Sequence, residues 1–332
     1  MIKQILLFLG ILLPMSATTK PDTLGDSWHF NSKILRNKTV TKQKLIQEGF
    51  TEITCTSEDG VTLQGLFLKR EQAKGTILFF HGFCPGGKEV FAPFVKITPS
   101  NYNLFFVDMR SYGESSGPNF YLHLRNYGAN NYKDVIDAIQ LINAKTNGLD
   151  QIIFGWCSGA FHCATALVKA KEICNQCNVK GLIFDSGFGS ILQISEAPLY
   201  HVRYKYIPKL IAPLYGGDKK RASRSTICRL TSFFLSAVLR TISLFILPPI
   251  RKRESETNLF DKIDQLGDLP VLVIHAEDDN YSPWETVQPL VQNIKNKELW
   301  LIPRGKSSHA ETHLKQKEAY KSRLGRWLAD LM

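Results

Sequence analysis

The residues with the clearest chemical meaning are a cysteine framed by two glycines, in the sequence Gly-Trp-Cys-Ser-Gly at 155–159. The apolar run before it, 151–154, predicts a buried strand, so the cysteine is expected in a sharp turn from strand to helix. Such a turn strains the backbone of the central residue and requires residues without a Cβ two positions away on each side, as Gly155 and Gly159 are. The positive end of the following helix favours a thiolate there. Cys157 is therefore the predicted nucleophile.

A structural cysteine beside unrelated glycines would give the same five residues, so the prediction depends on partners elsewhere in the chain. A β-rich run at 270–276 is followed by a polar turn that contains Asp278 and Asp279. A second short strand, 299–303, is followed by a turn that contains His309. A histidine can take the thiol proton and a carboxylate can orient the histidine, which is the order and chemistry of a catalytic triad. His313, four residues further on, is expected on the next helix and at the surface.

Three more motifs accompany this order. Glu-Asp-Gly-Val-Thr-Leu at 58–63 predicts a hairpin, His81-Gly82-Phe83 follows a strand, and 108–117 reads Asp-Met-Arg-Ser-Tyr-Gly-Glu-Ser-Ser-Gly. Together with the cysteine turn they resemble the α/β hydrolases, in particular serine-aminopeptidase-like esterases and dienelactone hydrolases. The resemblance covers about residues 50 to 332. It departs from the usual pattern in having cysteine for serine, and Ala160 where many members have a second glycine.

The resemblance implies an α/β-hydrolase fold with an oxyanion hole formed by the backbone N–H groups of Phe83 and Ser158. Its Gly-x-x-Asp spacing maps Asp279, rather than Asp278, onto the acid. The expected activity is hydrolysis of an ester, lactone or thioester through an acyl-cysteine intermediate, with lipid-like acyl groups among the candidate substrates. Two alternatives are an acyltransferase and a weakly active protein that binds anionic membranes. Asp108 and Arg110 are expected to shape a loop. Neither a cofactor nor a metal site is implied.

Length and composition favour one catalytic domain. The chain has 332 residues, of which 44% are hydrophobic and 21% charged, enough to bury a large core without division. Nearly continuous apolar runs, separated by helix-length segments, predict a mainly parallel sheet covered by helices on both faces. The predicted strands are 76–80, 103–107, 151–154, 181–184, 270–274 and 299–302, and the predicted helices are 131–143 and 160–170.

The first residues predict export. Lys3 precedes a short apolar run, 5–15, and Ser16-Ala17 offers a cleavage site, so residues 1–17 read as a signal peptide. The run is too short to span a bilayer comfortably. The expected location is periplasmic or secreted; an uncleaved interfacial anchor, and hence a membrane-associated protein, is the alternative.

A basic segment is expected as a helical lid at 190–262. Residues 200–253 contain twelve Lys or Arg and one acid, Asp218, so this stretch carries the whole +11 formal net charge of the chain. Within it, 227–247 is apolar with a narrow polar stripe that includes Arg240, a pattern that suits an anionic membrane surface or a fatty ligand. A lid buried against the core is the equal alternative. Nucleic acid is not an expected partner, because no binding motif accompanies the charge.

Seven cysteines complicate export, because an oxidising compartment would pair some of them and leave one free. Cys174 and Cys177 are spaced either for a small surface disulfide or as two ordinary thiols. Cys84 follows the predicted oxyanion residue, and a reversible Cys84–Cys157 disulfide is a further hypothesis.

Overall fold

An eight-stranded sheet organises the described part of the chain. The computed structural model of the protein describes residues 38–83, 86–118, 128–191, 212–218, 226 and 256–331. The strands are β1 (Thr51–Thr56), β2 (Thr62–Leu68), β3 (Gly75–Phe80), β4 (Tyr102–Val107), β5 (Asp150–Trp156), β6 (Val179–Asp185), β7 (Val271–Ala276) and β8 (Lys297–Ile302).

The order of the strands across the sheet is β1-β2-β4-β3-β5-β6-β7-β8. The pairs β1/β2 and β2/β4 are antiparallel, and every other neighbouring pair is parallel. Because parallel strands end at the same edge, the turns after β3, β5, β6, β7 and β8 are brought together at the carboxyl edge of the sheet.

Helices cover both faces of this sheet. They are α1 (Lys38–Gln47), α2 (Asn131–Lys145), α3 (Ser158–Lys169), α4 (Lys171–Gln176), α5 (Trp284–Gln292), α6 (Thr312–Lys315) and α7 (Lys317–Leu331), with 3₁₀ segments at Lys88–Lys96, Ala212–Tyr215 and Ile263–Leu266.

The alternation of side chains along each strand divides the core into two layers. In β3, Leu78 and Phe80 belong to the layer that α2, α3 and α5 cover. Ile77 and Phe79 belong to the opposite layer, covered by α1, α7 and the 3₁₀ segment Lys88–Lys96. All four side chains are fully buried, and burying each contributes about 1.5–3 kcal/mol. Burial on both faces explains why the strands read as continuous apolar runs.

The fold class predicted from the sequence is confirmed. All six predicted strands are present, the hairpin expected at 58–63 joins β1 to β2, and the two predicted helices are α2 and α3. The predicted signal peptide at 1–17 and most of the predicted lid at 190–262 lie outside the described residues. Across the described ranges, the structure contains no helix with the length and apolar character needed to cross a membrane.

A buried ion pair anchors the segment that follows β4. Lys88 Nζ lies 2.6 Å from Asp108 Oδ2 and 2.7 Å from Glu114 Oε2, and Lys88 is only 1% exposed. Asp108 also accepts the backbone N–H groups of Lys88 and Glu114. Burial alone would lower the pKa of Lys88, but Asp108 and Glu114 raise it above its usual range, so the side chain stays charged. These contacts agree with a structural role for Asp108.

Arg110 joins three separate segments of the chain. Its Nε lies 2.7 Å from Asp134 Oδ1 of α2, and its Nη1 lies 2.8 Å from Asp59 Oδ2 in the β1–β2 turn. The motif at 108–117 therefore ties the hairpin and α2 to the carboxyl edge of the sheet.

Replacing Lys88 with methionine should lower the free energy of unfolding by about 3–5 kcal/mol, because Asp108 would remain buried without its cation. Methionine keeps the length of the side chain, so little cavity is created. Urea denaturation near pH 7 measures the change. The control is Lys295→Met, which removes the partner of Asp268 from a pair that is 69% and 83% exposed and should barely move the midpoint. Equal midpoints for the two variants would contradict the prediction.

Candidate active site

Cys157 lies in a strained turn between β5 and α3. Its backbone has φ 56° and ψ −120°, a conformation rare for residues other than glycine. A Cβ at Gly155 would come within 2.3 Å of Ala160 Cα, and one at Gly159 within 2.1 Å of the Phe80 carbonyl oxygen. Close backbone contacts therefore require both residues to be glycine. The turn holds a half-buried cysteine at the edge of the sheet where the other turns meet.

Substitution of Gly159 by alanine should destabilise the protein by about 3 kcal/mol or more, since overpacking against backbone cannot be relieved by a side-chain rotation. The atoms in the way are the carbonyl oxygens of Phe80 and His81, at 2.1 and 2.7 Å. The matched control is Gly325→Ala in α7, where a Cβ would meet nothing within 4 Å. This substitution should stabilise the helix by about 0.5–1 kcal/mol. Thermal unfolding of both variants measures the difference. Similar melting temperatures for the two would contradict the expectation.

His309 is shared between Cys157 and a buried carboxylate. Its Nδ1 lies 2.7 Å from Asp279 Oδ2, and Cys157 is close enough to raise the pKa of the ring. Because Nδ1 is taken by Asp279, Nε2 is the ring nitrogen left for the thiol. The structure thus brings together Cys157, Asp279 and His309, which are 30 and more residues apart in the sequence.

Asp279 and His309 each stabilise the charged form of the other. Burial alone would lower the pKa of His309, but the Asp279 carboxylate and Cys157 hold it well above its ordinary value. Burial would likewise raise the pKa of Asp279, yet the charge of His309 and the hydrogen bonds to the carboxylate bring it below its usual range. The arrangement therefore favours a protonated His309 beside an ionised Asp279.

Backbone groups fix the orientation of Asp279. Its Oδ1 accepts the N–H groups of Tyr281 at 2.9 Å and Ser282 at 2.7 Å, which leaves Oδ2 for the histidine. His275, fully buried in β7, lies with Nε2 2.7 Å from the Ser282 carbonyl oxygen, and burial lowers the pKa of His275. A neutral His275 can donate to that carbonyl and close the turn.

Asp278, the neighbouring acid, has a different partner. Its Oδ2 accepts the N–H of Gly305, and the residue is half-buried. Of the two aspartates, Asp279 alone contacts His309, so the geometry favours the choice made from the spacing.

The His81-Gly82-Phe83 turn packs directly against the cysteine. A Cβ on Gly82 would lie 3.3 Å from Cys157 Sγ. His81, buried, donates from Nδ1 to the Gly82 carbonyl at 2.8 Å and accepts the Met109 N–H on Nε2 at 3.0 Å, which fixes the course of the turn. The Phe83 N–H follows Gly82, and the Ser158 N–H lies in the first turn of α3. Both predicted oxyanion donors therefore belong to segments that adjoin the thiol.

The surface position predicted for His313 is wrong. The residue lies on a helix, α6, as expected, but it is buried rather than at the surface. Its ring stacks on Phe94 with centroids 4.9 Å apart and meets Trp156 edge-on, and burial lowers its pKa to about 4. It therefore packs in the core as a neutral side chain.

The described cysteines are all free thiols. Cys174 and Cys177 are buried, which corresponds to the second of the two alternatives, ordinary thiols rather than a surface disulfide. Burial raises the pKa of Cys174 to about 12, so its thiol is protonated and unreactive at neutral pH. Cys84 lies outside the described residues. No group of three His, Cys, Asp or Glu side chains in the described ranges is placed to hold a metal ion.

Sequence reasoning missed the turn after β6. Asp185 and Ser186 are buried there, Asp185 next to the nucleophile strand, and both are bonded to neighbouring turns of the site. The sequence could have indicated these residues. They are polar, they directly follow the predicted strand 181–184, and the end of that strand must lie at the same edge of the sheet as Cys157.

The family model for the alpha/beta hydrolase fold matches residues 75–307, which include Cys157 and Asp279 and end two residues before His309. The chain belongs to this family. It is 28% identical over 186 residues to the uncharacterised protein YfhR of Salmonella typhi, a match that covers 53% of this chain and only 60% of YfhR. It is 24% identical over 284 residues to the uncharacterised protein YqkD of Bacillus subtilis, covering 85% of this chain and 80% of YqkD.

Solved structures of two esterases share the fold. An esterase of Pyrococcus furiosus superposes with a TM-score of 0.58 at 18% identity, over 85% of this chain and 91% of that one. An esterase from Exiguobacterium antarcticum gives a TM-score of 0.52 at 16% identity, over 84% of this chain and 100% of that one. At these identities the likeness establishes the fold alone.

Proposed function

We propose that the protein hydrolyses carboxylic esters, lactones or thioesters through a Cys157-His309-Asp279 triad and an acyl-cysteine intermediate. The observation that carries the proposal is the single histidine held between a buried aspartate and a cysteine in a strained turn. Family membership supports the reaction class, and the esterase activity in the names of two fold relatives agrees with it.

In the first half of the reaction the Cys157 thiolate attacks the acyl carbon. A C–S bond forms as the carbonyl π bond breaks, and the charge moves to the oxygen, where the N–H groups of Phe83 and Ser158 are proposed to bind it. The tetrahedral intermediate then collapses, the bond to the leaving group breaks, and the departing alkoxide or thiolate takes the proton held on His309 Nε2. The product of this half is a thioester on Cys157.

In the second half, water releases the acid. Neutral His309 accepts a proton from water as the oxygen attacks the thioester carbon, and collapse of the second intermediate breaks the C–S bond. The thiolate leaves with its negative charge paired to the His309 imidazolium. Asp279 accepts the hydrogen bond from His309 Nδ1–H throughout the reaction. His309 therefore presents Nε2 to the reacting groups in both halves.

The test is a series of p-nitrophenyl esters from acetate to palmitate, assayed with the purified protein under reducing conditions. Rapid acid quench followed by mass spectrometry should show one acyl group added to the protein, located on the peptide that contains Cys157. The preferred chain length will also test whether long, lipid-like acyl groups are substrates, as the apolar segment 227–247 suggests.

Three outcomes would count against the proposal. One is turnover without an adduct on Cys157, and another is turnover that survives complete alkylation of that residue. The third is delivery of the acyl group to an added alcohol or amine in preference to water, which would make the enzyme an acyltransferase.

A further inference from the structure

The turn after β6 contacts each of the three turns that carry the proposed triad. The Asp185 carbonyl oxygen accepts the Cys157 N–H at 2.9 Å. The Gly187 carbonyl oxygen accepts the Ser282 hydroxyl at 2.8 Å, in the turn that holds Asp279. Ser186 Oγ accepts the backbone N–H of Ala310, the residue after His309, at 3.0 Å. Residues 185–187 are thus a hub between nucleophile, acid and histidine.

The hydroxyl of Ser186 has a defined direction. Its Oγ lies 2.8 Å from Asp185 Oδ1, and the Tyr320 hydroxyl of α7 lies 2.7 Å from Asp185 Oδ2. A carboxylate only accepts hydrogen bonds, so both hydroxyl protons point to Asp185 and the lone pairs of Ser186 Oγ remain for the Ala310 N–H. Ser186, Asp185 and Tyr320 are all buried, so water cannot readily replace these bonds.

The bond from Ala310 to Ser186 joins two residues with unusual backbones. Ser186 and Ala310 both have φ of 54°, in the left-handed region that residues other than glycine seldom adopt. Such conformations persist only where surrounding contacts over-determine them. The Ser186 N–H also donates to the Ile274 carbonyl oxygen of β7 at 2.8 Å. The side-chain bond is therefore a direct link between the histidine turn and the hub.

We propose that Ser186 is a positioning residue for His309, holding the histidine turn in place through the Ala310 N–H, with Asp185 and Tyr320 fixing the serine hydroxyl. The inference rests on the proposed function of the triad. It assigns a role to the β6 turn that goes beyond the triad and its oxyanion donors, and it makes the C-terminal helix part of the support of the site.

The experiment compares Ser186→Ala, Ser186→Gly and Tyr320→Phe with the wild-type full chain. Loss of the Ser186 hydroxyl should lower kcat for ester hydrolysis by about 10- to 100-fold, the scale of a small misplacement of a catalytic group, with KM nearly unchanged. Glycine adopts positive φ without strain, so Ser186→Gly should be as impaired as Ser186→Ala if the hydroxyl is what matters. Tyr320→Phe should show a smaller loss of the same kind.

A second measurement does not need a substrate. The protonation of His309 is followed by NMR of histidine-labelled protein, with the signal assigned by its loss in His309→Gln. In both Ser186 variants the pKa of His309 should fall towards its ordinary value, because the bond to Asp279 loosens. Thr98→Val is the matched control: it removes another buried hydroxyl bond, 2.7 Å to the Phe94 carbonyl oxygen at the end of the 3₁₀ segment Lys88–Lys96. It should leave the titration as in the wild type.

Wild-type kcat and an unchanged His309 titration in Ser186→Ala would overturn the inference. So would recovery of kcat in Ser186→Gly, since backbone strain rather than the hydroxyl would then be the cause. Failure of the proposed function is recognised separately: the wild type would hydrolyse no ester, while the NMR titration would still report whether Ser186 positions His309.

Discussion

Cys157→Ala should reduce kcat/KM for ester hydrolysis by about 10⁴- to 10⁶-fold, the loss expected when the nucleophile of a triad is removed. Alanine keeps a Cβ in the strained turn and removes only the sulfur, so the fold should be preserved. Hydrolysis of p-nitrophenyl acetate measures the change. The control is Cys55→Ala on β1, whose half-buried thiol faces the Asp137 carbonyl oxygen and should not affect turnover.

Cys157→Ser distinguishes the kind of nucleophile. The serine hydroxyl can be deprotonated by His309 during attack, but it is not held as an anion beforehand, so activity should fall well below the wild type and stay above Cys157→Ala. Inactivation by iodoacetamide, rapid in the wild type, should disappear in the serine variant. Activity of Cys157→Ala within about tenfold of the wild type would exclude Cys157 from the reaction, since nucleophile removal costs far more than that.

Candidate site residues could be chosen from the sequence because the turns that carry them leave recognisable patterns. Gly155 is required by contacts within the turn and Gly159 by the carbonyl oxygens at the end of β3, and both appear as a fixed pattern around Cys157. The acid and the histidine each follow an apolar run, and a parallel sheet brings such positions to one edge whatever lies between them. The strand order was not predicted, because no single run of residues encodes it.

The remaining parts depend on contacts that no local pattern encodes. Tyr320 meets Asp185 across 135 residues of sequence, and nothing in the amphipathic pattern of α7 marks that hydroxyl. His313, four residues past His309, is expected from the sequence at the surface of the next helix, but α6 lies against Phe94 and Trp156 and buries it. Burial of a polar side chain is decided by what the tertiary fold places opposite it.

Asp279→Asn should lower kcat for ester hydrolysis near pH 7 by about 10³- to 10⁴-fold, the scale seen when a triad aspartate becomes an amide. Asp279 raises the pKa of His309 against a burial that lowers it. Without the carboxylate, burial still disfavours the charged ring. The pKa of His309 should therefore fall, and the imidazolium should give up its proton at neutral pH. Cys157 then keeps its proton on sulfur and loses its strength as a nucleophile.

A lower pKa of His309 in Asp279→Asn determines how the activity of the variant depends on pH. In the wild type the raised pKa of His309 keeps the imidazolium at pH values where an ordinary histidine is neutral, and the proposed mechanism needs that cation to pair with the Cys157 thiolate. In Asp279→Asn the thiolate must form without that partner, so activity should increase with pH and the ratio of wild type to variant should shrink from about pH 6 to pH 9. Asp278→Asn is the matched control, because its amide oxygen can still accept the Gly305 N–H and it does not contact His309. A constant ratio across this pH range would mean that Asp279 orients His309 without setting its charge.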